Sequence, residues 1–179
     1  IEHLLFKGTP SYDALEIAEI FDGLGGELNA ATSREHTVLY ARVPDEQLET
    51  AVKVMAEMVF APRFAELETE REVVLEEIAM VEDDPQDLVH DNFGEAVFGG
   101  HPLGTPVIGT AAVISAVSRR TIQAHHRTAY RPTNVVVSAA GNVHADEFRS
   151  LVERAVPEQA HGAAASISRV RLTAAPVPA

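Results

Sequence analysis

Histidine and carboxylate carry the chemistry open to this sequence. It holds eight His, 27 Asp plus Glu and no Cys. Disulfides, thiolate nucleophiles and Cys-ligated metals are therefore excluded, and any metal site must be built from imidazole and carboxylate. Two places stand out. Glu2-His3 heads an apolar segment, Ile1-Glu2-His3-Leu4-Leu5-Phe6, where a polar pair taken alone reads as solvent-facing or locally satisfied. Between Glu66 and Glu82, Leu67, Val74, Ile78 and Val81 fall on one helical arc, with Val73 further round. Glu70 and Glu77 are seven apart and so point within about 20° of each other, at the edge of that arc. Glu68, Glu72 and Glu76 fall elsewhere and read as solvated. Carboxylates at the edge of a buried stripe are costly unless paired or bound to a cation. A boundary pair salt-bridged to Arg and part of a cation site both meet that condition.

The two places become more specific when joined. An H-x-x-E-H helix sets two His at i and i+4 on one face, ready to chelate zinc, with the Glu beside the second His placed to take a proton from water. Glu2-His3 is the E-H half of that pattern. Its first His would lie two residues upstream of Ile1, outside the chain. A further ligand must come from elsewhere, and a carboxylate on a later helix is the chemical complement. The other His offer less. His125 and His126 are adjacent, so on a helix they diverge by about 100°, and a structural or surface role is expected. His101 opens His-Pro-Leu-Gly and is expected to fix that turn. His36, His90, His144 and His161 have no partners at ligand spacing. The glycines at 99–109 match no phosphate-binding fingerprint.

These residues need elements to hold them. Lys7-Gly8-Thr9-Pro10 breaks the opening segment. Ser11 is expected to cap a helix with Asp13 in its first turn, burying Leu15, Ile17, Ala18, Ile20, Phe21 and Leu24 and ending at Gly25-Gly26. Residues 27 to 43 read as two strands turning at 33–35, the second marked by Thr37, Val38, Tyr40 and Val43. Helices are expected at 45–60 (face Leu48, Val52, Met55, Ala56 and Val59), 66–82, 86–98, 111–116, 118–129 and 146–156. The 101–110 segment reads as a loop, 130–134 as a turn and Val135–Ala140 as a strongly β-prone strand. Strands and helices do not alternate strictly, so the pattern argues for an α+β fold, an antiparallel sheet flanked by helices, over a doubly wound one. Residues 1–156 then form one domain, and 157–179, rich in Ala, Ser and Pro, a linker with a short strand at Ile167–Leu172. Three strands make a thin sheet, and sequence preceding Ile1 is expected to add to it.

Length and charge set the outer bounds. The 179 residues suit one domain with a sizeable core. Fourteen Lys plus Arg against 27 acids give a net charge of −13. That balance argues against nucleic acid, whose binders need a basic face, and against an anionic membrane surface. No apolar run approaches the ~18 residues of a membrane span.

Five stretches, in order, carry a family resemblance: I-E-H-L-L-F-K-G-T (1–9), G-G-E-L-N-A-A-T-S-R-E-H-T (25–37), E-R-E-V-V-L-E-E-I-A-M (70–80), H-P-L-G-T-P-V-I-G-T (101–110) and Y-R-P-T-N (130–134). The chain resembles the insulinase/pitrilysin family of zinc metallopeptidases, the inverzincins, and within it the processing-peptidase-like branch. The resemblance implies the metallohydrolase fold of that branch, with 1–156 as an N-terminal metallopeptidase domain, and Zn2+ as cofactor. It implies His3 and Glu77 as metal ligands, Glu2 as the general base, and Glu70 as a residue behind the ligands that supports them. Asn29 and Ala30 match the N-A-x-T edge strand, which pairs with substrate backbone by β-augmentation. A peptide is the implied substrate and endoproteolysis of extended peptides the implied reaction. A missing C-terminal domain of the same protein is the implied partner, with a homo- or heterodimer allowed. His3 must be neutral and Glu77 ionised to ligate, so zinc binding should weaken in acid. With two ligands where a catalytic zinc uses three, the 179 residues alone are expected to bind zinc poorly and be inactive. The competing readings are a non-catalytic subunit of the same family, acting in peptide binding or scaffolding, and an unrelated acidic interaction domain.

Overall fold

The structure is a computed structural model and describes residues 1–156. The expected linker at 157–179 and strand at Ile167–Leu172 lie outside the described residues. Eight α-helices and one hairpin follow in order: α1 (Glu2–Leu5), α2 (Ala14–Gly23), β1 (Glu27–Thr32), β2 (Thr37–Arg42), α3 (Leu48–Phe60), α4 (Leu67–Asp83), α5 (Pro85–Phe98), α6 (Ala111–Ala116), α7 (Arg119–Ala129) and α8 (Ala145–Ala155). Short 3₁₀ turns occupy Asp45–Gln47, Pro102–Gly104 and Pro132–Asn134. The α+β class and the antiparallel sheet stand as expected.

Local chemistry sets the helix starts. Asp13, not Ser11, caps α2: its side chain accepts from the Glu16 amide at 2.8 Å, and Glu16 accepts in return from the Asp13 amide at 2.8 Å. This reciprocal capping box satisfies two otherwise orphaned donors. Ser11 instead donates to Glu57 on α3 at 3.0 Å. Asp84 ends α4 and caps α5 through the Gln86 amide, with Pro85 in the first turn where its missing N–H costs nothing. Thr110 and Ser118 cap α6 and α7 through the Val113 and Thr121 amides.

The main core lies between α2, α3 and one face of the hairpin. Ile17, Phe21, Ala51, Val54 and Met58 are buried together, with Leu28, Leu39 and Ala41 packed on them. Each fully buried large apolar side chain contributes about 1.5–3 kcal/mol. The buried arcs are narrower than expected. Leu15 is 66 % exposed and Ala18 is also exposed. On α3 the fully buried positions are Ala51, Val54 and Met58, at helical 3–4 spacing, while the expected face is only half-buried. A second cluster joins Leu4 of α1, Phe64, Leu67 of α4 and Ile122 of α7, so α1 and α4 are tied together through a shared apolar contact.

The sheet has two strands among the described residues, paired antiparallel with Ala30 opposite Leu39 and Thr32 opposite Thr37. The expected strand at Val135–Ala140 is not one. It pairs with nothing in a ladder, and Val136 is 93 % exposed. β-Branched residues favour a strand through packing on a pleated surface with neighbours, and no described strand lies beside this run. Phe64 and Glu66, in the α3–α4 link, have φ of 52° and 56°, a left-handed geometry costing roughly 1–3 kcal/mol per non-glycine residue. The buried Phe64 ring, edge-on to His126 at 5.1 Å, anchors that link.

Candidate metal centre

The site forms where α1 meets the solvent-edge face of α4. Leu4 and Leu5 are buried and hold the four-residue α1 down. Glu2 and His3, in the same turn of α1, remain half-exposed. Glu70 and Glu77, two helical turns apart on α4, both face His3. His3 Nδ1 lies 3.1 Å from Glu70 Oε2, and His3 Nε2 lies 3.9 Å from Glu77 Oε2. An ionised carboxylate only accepts hydrogen bonds. In the neutral imidazole Nδ1 therefore carries the proton and donates it to Glu70, and Nε2 presents its lone pair on the Glu77 side.

Glu70 is the most buried acid of this group, 8 % exposed. Burial pushes its carboxyl up, but Lys7, through hydrogen bond and charge, and then His3 together hold it below the usual carboxylate range. Lys7 Nζ sits 2.8 Å from Glu70 Oε1 and 3.7 Å from Glu66 Oε2. The bond to Glu70 raises the Lys7 ammonium above its ordinary value despite partial desolvation. The partners of Glu70 are thus the Lys7 ammonium and the His3 imidazole. The boundary-pair reading expects an Arg there; Arg71, next to Glu70 on α4, instead pairs with Glu68 at 3.0 Å and reaches the Ile114 and Val117 carbonyls of the α6–α7 segment.

Glu2 has its described partner on the hairpin. Its Oε2 accepts a hydrogen bond from Thr32 Oγ1 at the end of β1, which brings the hairpin to α1. Asn29 and Ala30 lie on the same strand, about 10 Å and 7 Å before Thr32 at strand rise. Asn29 Oδ1 takes the Ala30 amide at 2.8 Å. The other edge of β1 borders no described strand. The hairpin tip is clamped from below. Arg34 donates to the Leu103 carbonyl and pairs with Asp91 of α5 at 3.3 Å, passing over Gly94.

The donor set suits zinc. Imidazole nitrogen and carboxylate oxygen bind it at about 2.0–2.2 Å, which puts tetrahedral neighbours about 3.4 Å apart. The 3.9 Å between His3 Nε2 and Glu77 Oε2 is within about 0.5 Å of that separation. The carboxylate behind the imidazole is the usual support of a zinc-binding His. Among the described residues no group of three or more His, Asp or Glu is arranged to hold a metal, so these are two donors and their support.

The remaining histidines behave as expected where contacts are described. His126 is 6 % exposed, donates from Nε2 to the Val59 carbonyl at 2.8 Å and stacks on Tyr130 at 4.8 Å. His125 is exposed. His101 Nδ1 accepts from the Leu103 amide at 3.1 Å and caps the Pro102–Gly104 turn. Sequence reasoning missed Lys7 and Thr32. Lys7 is one of only two lysines in the chain, and the sequence places it in a break and in the first family stretch without giving it a role of its own. Thr32 is the last residue of the N-A-x-T stretch whose first two positions were singled out.

Comparison with known proteins gives a consistent result. Residues 1–111 match the sequence model of the insulinase family, peptidase family M16. An uncharacterized zinc protease of Mycobacterium leprae is 50 % identical over 154 residues, covering 85 % of this chain and 35 % of that protein. An uncharacterized zinc protease of Bacillus subtilis is 44 % identical over 156 residues, covering 86 % and 38 %. The chain thus spans little more than a third of the length of these relatives. In fold it resembles a protease from Helicobacter pylori (TM-score 0.90, 24 % identity, 97 % of this chain and 43 % of that one). It also resembles a peptidase M16 inactive domain from Pseudomonas fluorescens (TM-score 0.85, 22 % identity, 95 % and 42 %). The same fold serves a protease and an inactive domain, so it does not by itself decide activity. By its matched length and its relatives, the chain belongs to the insulinase family of peptidases.

Proposed function

We propose that this chain carries the catalytic face of a zinc endopeptidase that hydrolyses extended peptides. The observation that carries the reading is the orientation of His3: Glu70 takes its Nδ1 side, and Nε2 faces the Glu77 carboxylate. His3 and Glu77 would hold zinc, and Glu70 would keep the His3 ring in its ligating tautomer. Zinc, when bound, supplies Lewis acidity that lowers the pKa of water and polarises a carbonyl. Glu2, adjacent to His3 in α1, is the base: its carboxylate accepts the proton of the attacking water and returns it to the leaving amine. Thr32 Oγ1, donating to Glu2, holds that carboxylate beside the end of β1. The open edge of β1 at Asn29 and Ala30 offers backbone hydrogen bonds to an extended peptide, a pairing that reads main chain more than side chain.

The test is Glu2→Gln in the protein that carries this chain. Gln keeps the shape of Glu2 and cannot accept the proton, so zinc content should stay at the wild-type level while turnover of an unstructured peptide falls about 10²–10⁴-fold. Unchanged turnover in Glu2→Gln would refute the role of the base.

A further inference from the structure

Lys7 lies four residues after His3, beyond the end of α1, and touches neither His3 nor Glu77 in any described contact. Its ammonium instead meets the far oxygen of the carboxylate that orients His3. Glu70 has two oxygens, and each is held by a different partner: Oε1 by Lys7 at 2.8 Å and Oε2 by His3 Nδ1 at 3.1 Å. With both oxygens engaged, the carboxylate cannot rotate without breaking one contact. With Lys7 removed, Oε1 becomes an uncompensated charge at a position only 8 % exposed. Such a charge is strongly disfavoured, and the carboxylate is then free to turn toward another donor. That movement removes the fixed acceptor that His3 needs.

Lys7 is itself firmly placed. Gly8 follows it with φ +102°, and a Cβ there would come within 3.2 Å of the Tyr12 carbonyl. The Gly8 carbonyl accepts from the Arg63 amide at 2.9 Å. Thr9, fully buried, donates to Glu57 at 2.9 Å, and Ser11 donates to the same carboxylate at 3.0 Å. The Lys7–Ser11 turn is therefore pinned to α3 and to the α3–α4 link, and it presents the Lys7 stem to α4 from a fixed base. The pair also differs from a surface salt bridge of negligible worth: the side chains of Lys7 and Glu70 are 26 % and 10 % exposed.

We propose that Lys7 is a positioning residue of the metal centre, acting through Glu70 to fix the ring of His3. The inference rests on the proposed ligand roles of His3 and Glu77. Zinc alone is the probe, titrated by chelator competition into the metal-free protein that carries this chain. Lys7→Met should weaken zinc binding about 10–100-fold, the effect usual for losing a support behind a ligating His. Lys7→Arg, which keeps a cation within reach of Oε1, should recover most of it. In a Glu70→Ala background Lys7→Met should add nothing, because residues acting in one chain of contacts are not additive. Wild-type zinc affinity in Lys7→Met, or equal weakening with and without Glu70, overturns the assignment. Glu77→Gln is the control. If it too binds zinc like the wild type, the metal reading itself has failed; if it binds weakly while Lys7→Met binds normally, only the role of Lys7 is lost. Should Lys7→Met not fold, Lys7→Gln, which retains a hydrogen bond without the charge, takes its place under the same two outcomes.

Discussion

His3 and His126 each give one ring N–H to a fixed oxygen, Glu70 in one case and the Val59 carbonyl in the other. Their second faces differ. His3 is half-exposed beside acids, whereas His126 is closed in by Phe64 and Tyr130. Burial, and then the neighbouring positive charge of His125 and Arg127, hold the His126 imidazole below its ordinary value against the opposing pull of the Val59 carbonyl. The sign of the consequence is clear. The folded state resists protonation and the unfolded chain does not, so below the unfolded value of about 6.5 the unfolded state binds more protons and stability falls with pH. The contribution is present above that value and declines as the pH drops beneath it toward the lower folded value. Denaturant midpoints at pH 7.5 and 5.5 should therefore fall further in the wild type than in His126→Phe, which cannot titrate at this position. An equal fall in both proteins would remove His126 as a source of the acid sensitivity.

Among elements, the hairpin depends on its tip. Arg34 reaches from the β1–β2 turn across α5, and the absence of a side chain at Gly94 is what lets it lie there: a Cβ would stand 2.8 Å from Arg34 Nη1. Alanine in a helix interior normally stabilises by about 1 kcal/mol over glycine. At Gly94 the sign should reverse, because the methyl group displaces the guanidinium or strains α5, at a cost of about 1–3 kcal/mol. Hydrogen exchange should then rise in β1 and β2 of Gly94→Ala, and a variant as protected as the wild type would contradict the clamp. A glycine inside a helix is a local oddity, but nothing in the sequence pattern names Arg34 as its reason, since the two are distant in the chain. The helices were legible because their apolar periodicity and caps are local signals; α6 falls on the expected 111–116. The cap of α2 was misplaced because Ser11 and Asp13 are both good caps; Asp13 takes the Glu16 amide and the return bond, while Ser11 is drawn to Glu57. Val135–Ala140 failed because a strand is a property of a pair.

On the scale of the whole molecule, the site is assembled from four separate pieces: α1, the Lys7–Ser11 turn, the end of β1, and α4. The alignment of Glu70 with Glu77 was legible from helix pitch alone. That Glu2 and His3 belong with them was legible only through the family resemblance, since no local pattern links residues 3 and 70. Lys7 and Thr32 escaped because their partners are tertiary. Three of the 27 acids, Glu2, Glu70 and Glu77, are accounted for at the site, and the negative surplus that remains still opposes a nucleic-acid partner. No helix among the described residues is long and apolar enough to cross a membrane. The central claim is that His3 and Glu77 hold zinc, with Glu70 behind the imidazole. It is tested most directly by an anomalous difference map at the zinc edge from crystals of the zinc-loaded protein that carries this chain. The account predicts one peak about 2.0–2.2 Å from both His3 Nε2 and a Glu77 carboxylate oxygen, with His3 Nδ1 still on Glu70. A peak bound through His3 Nδ1, or one that leaves Glu77 out of the coordination, would contradict it.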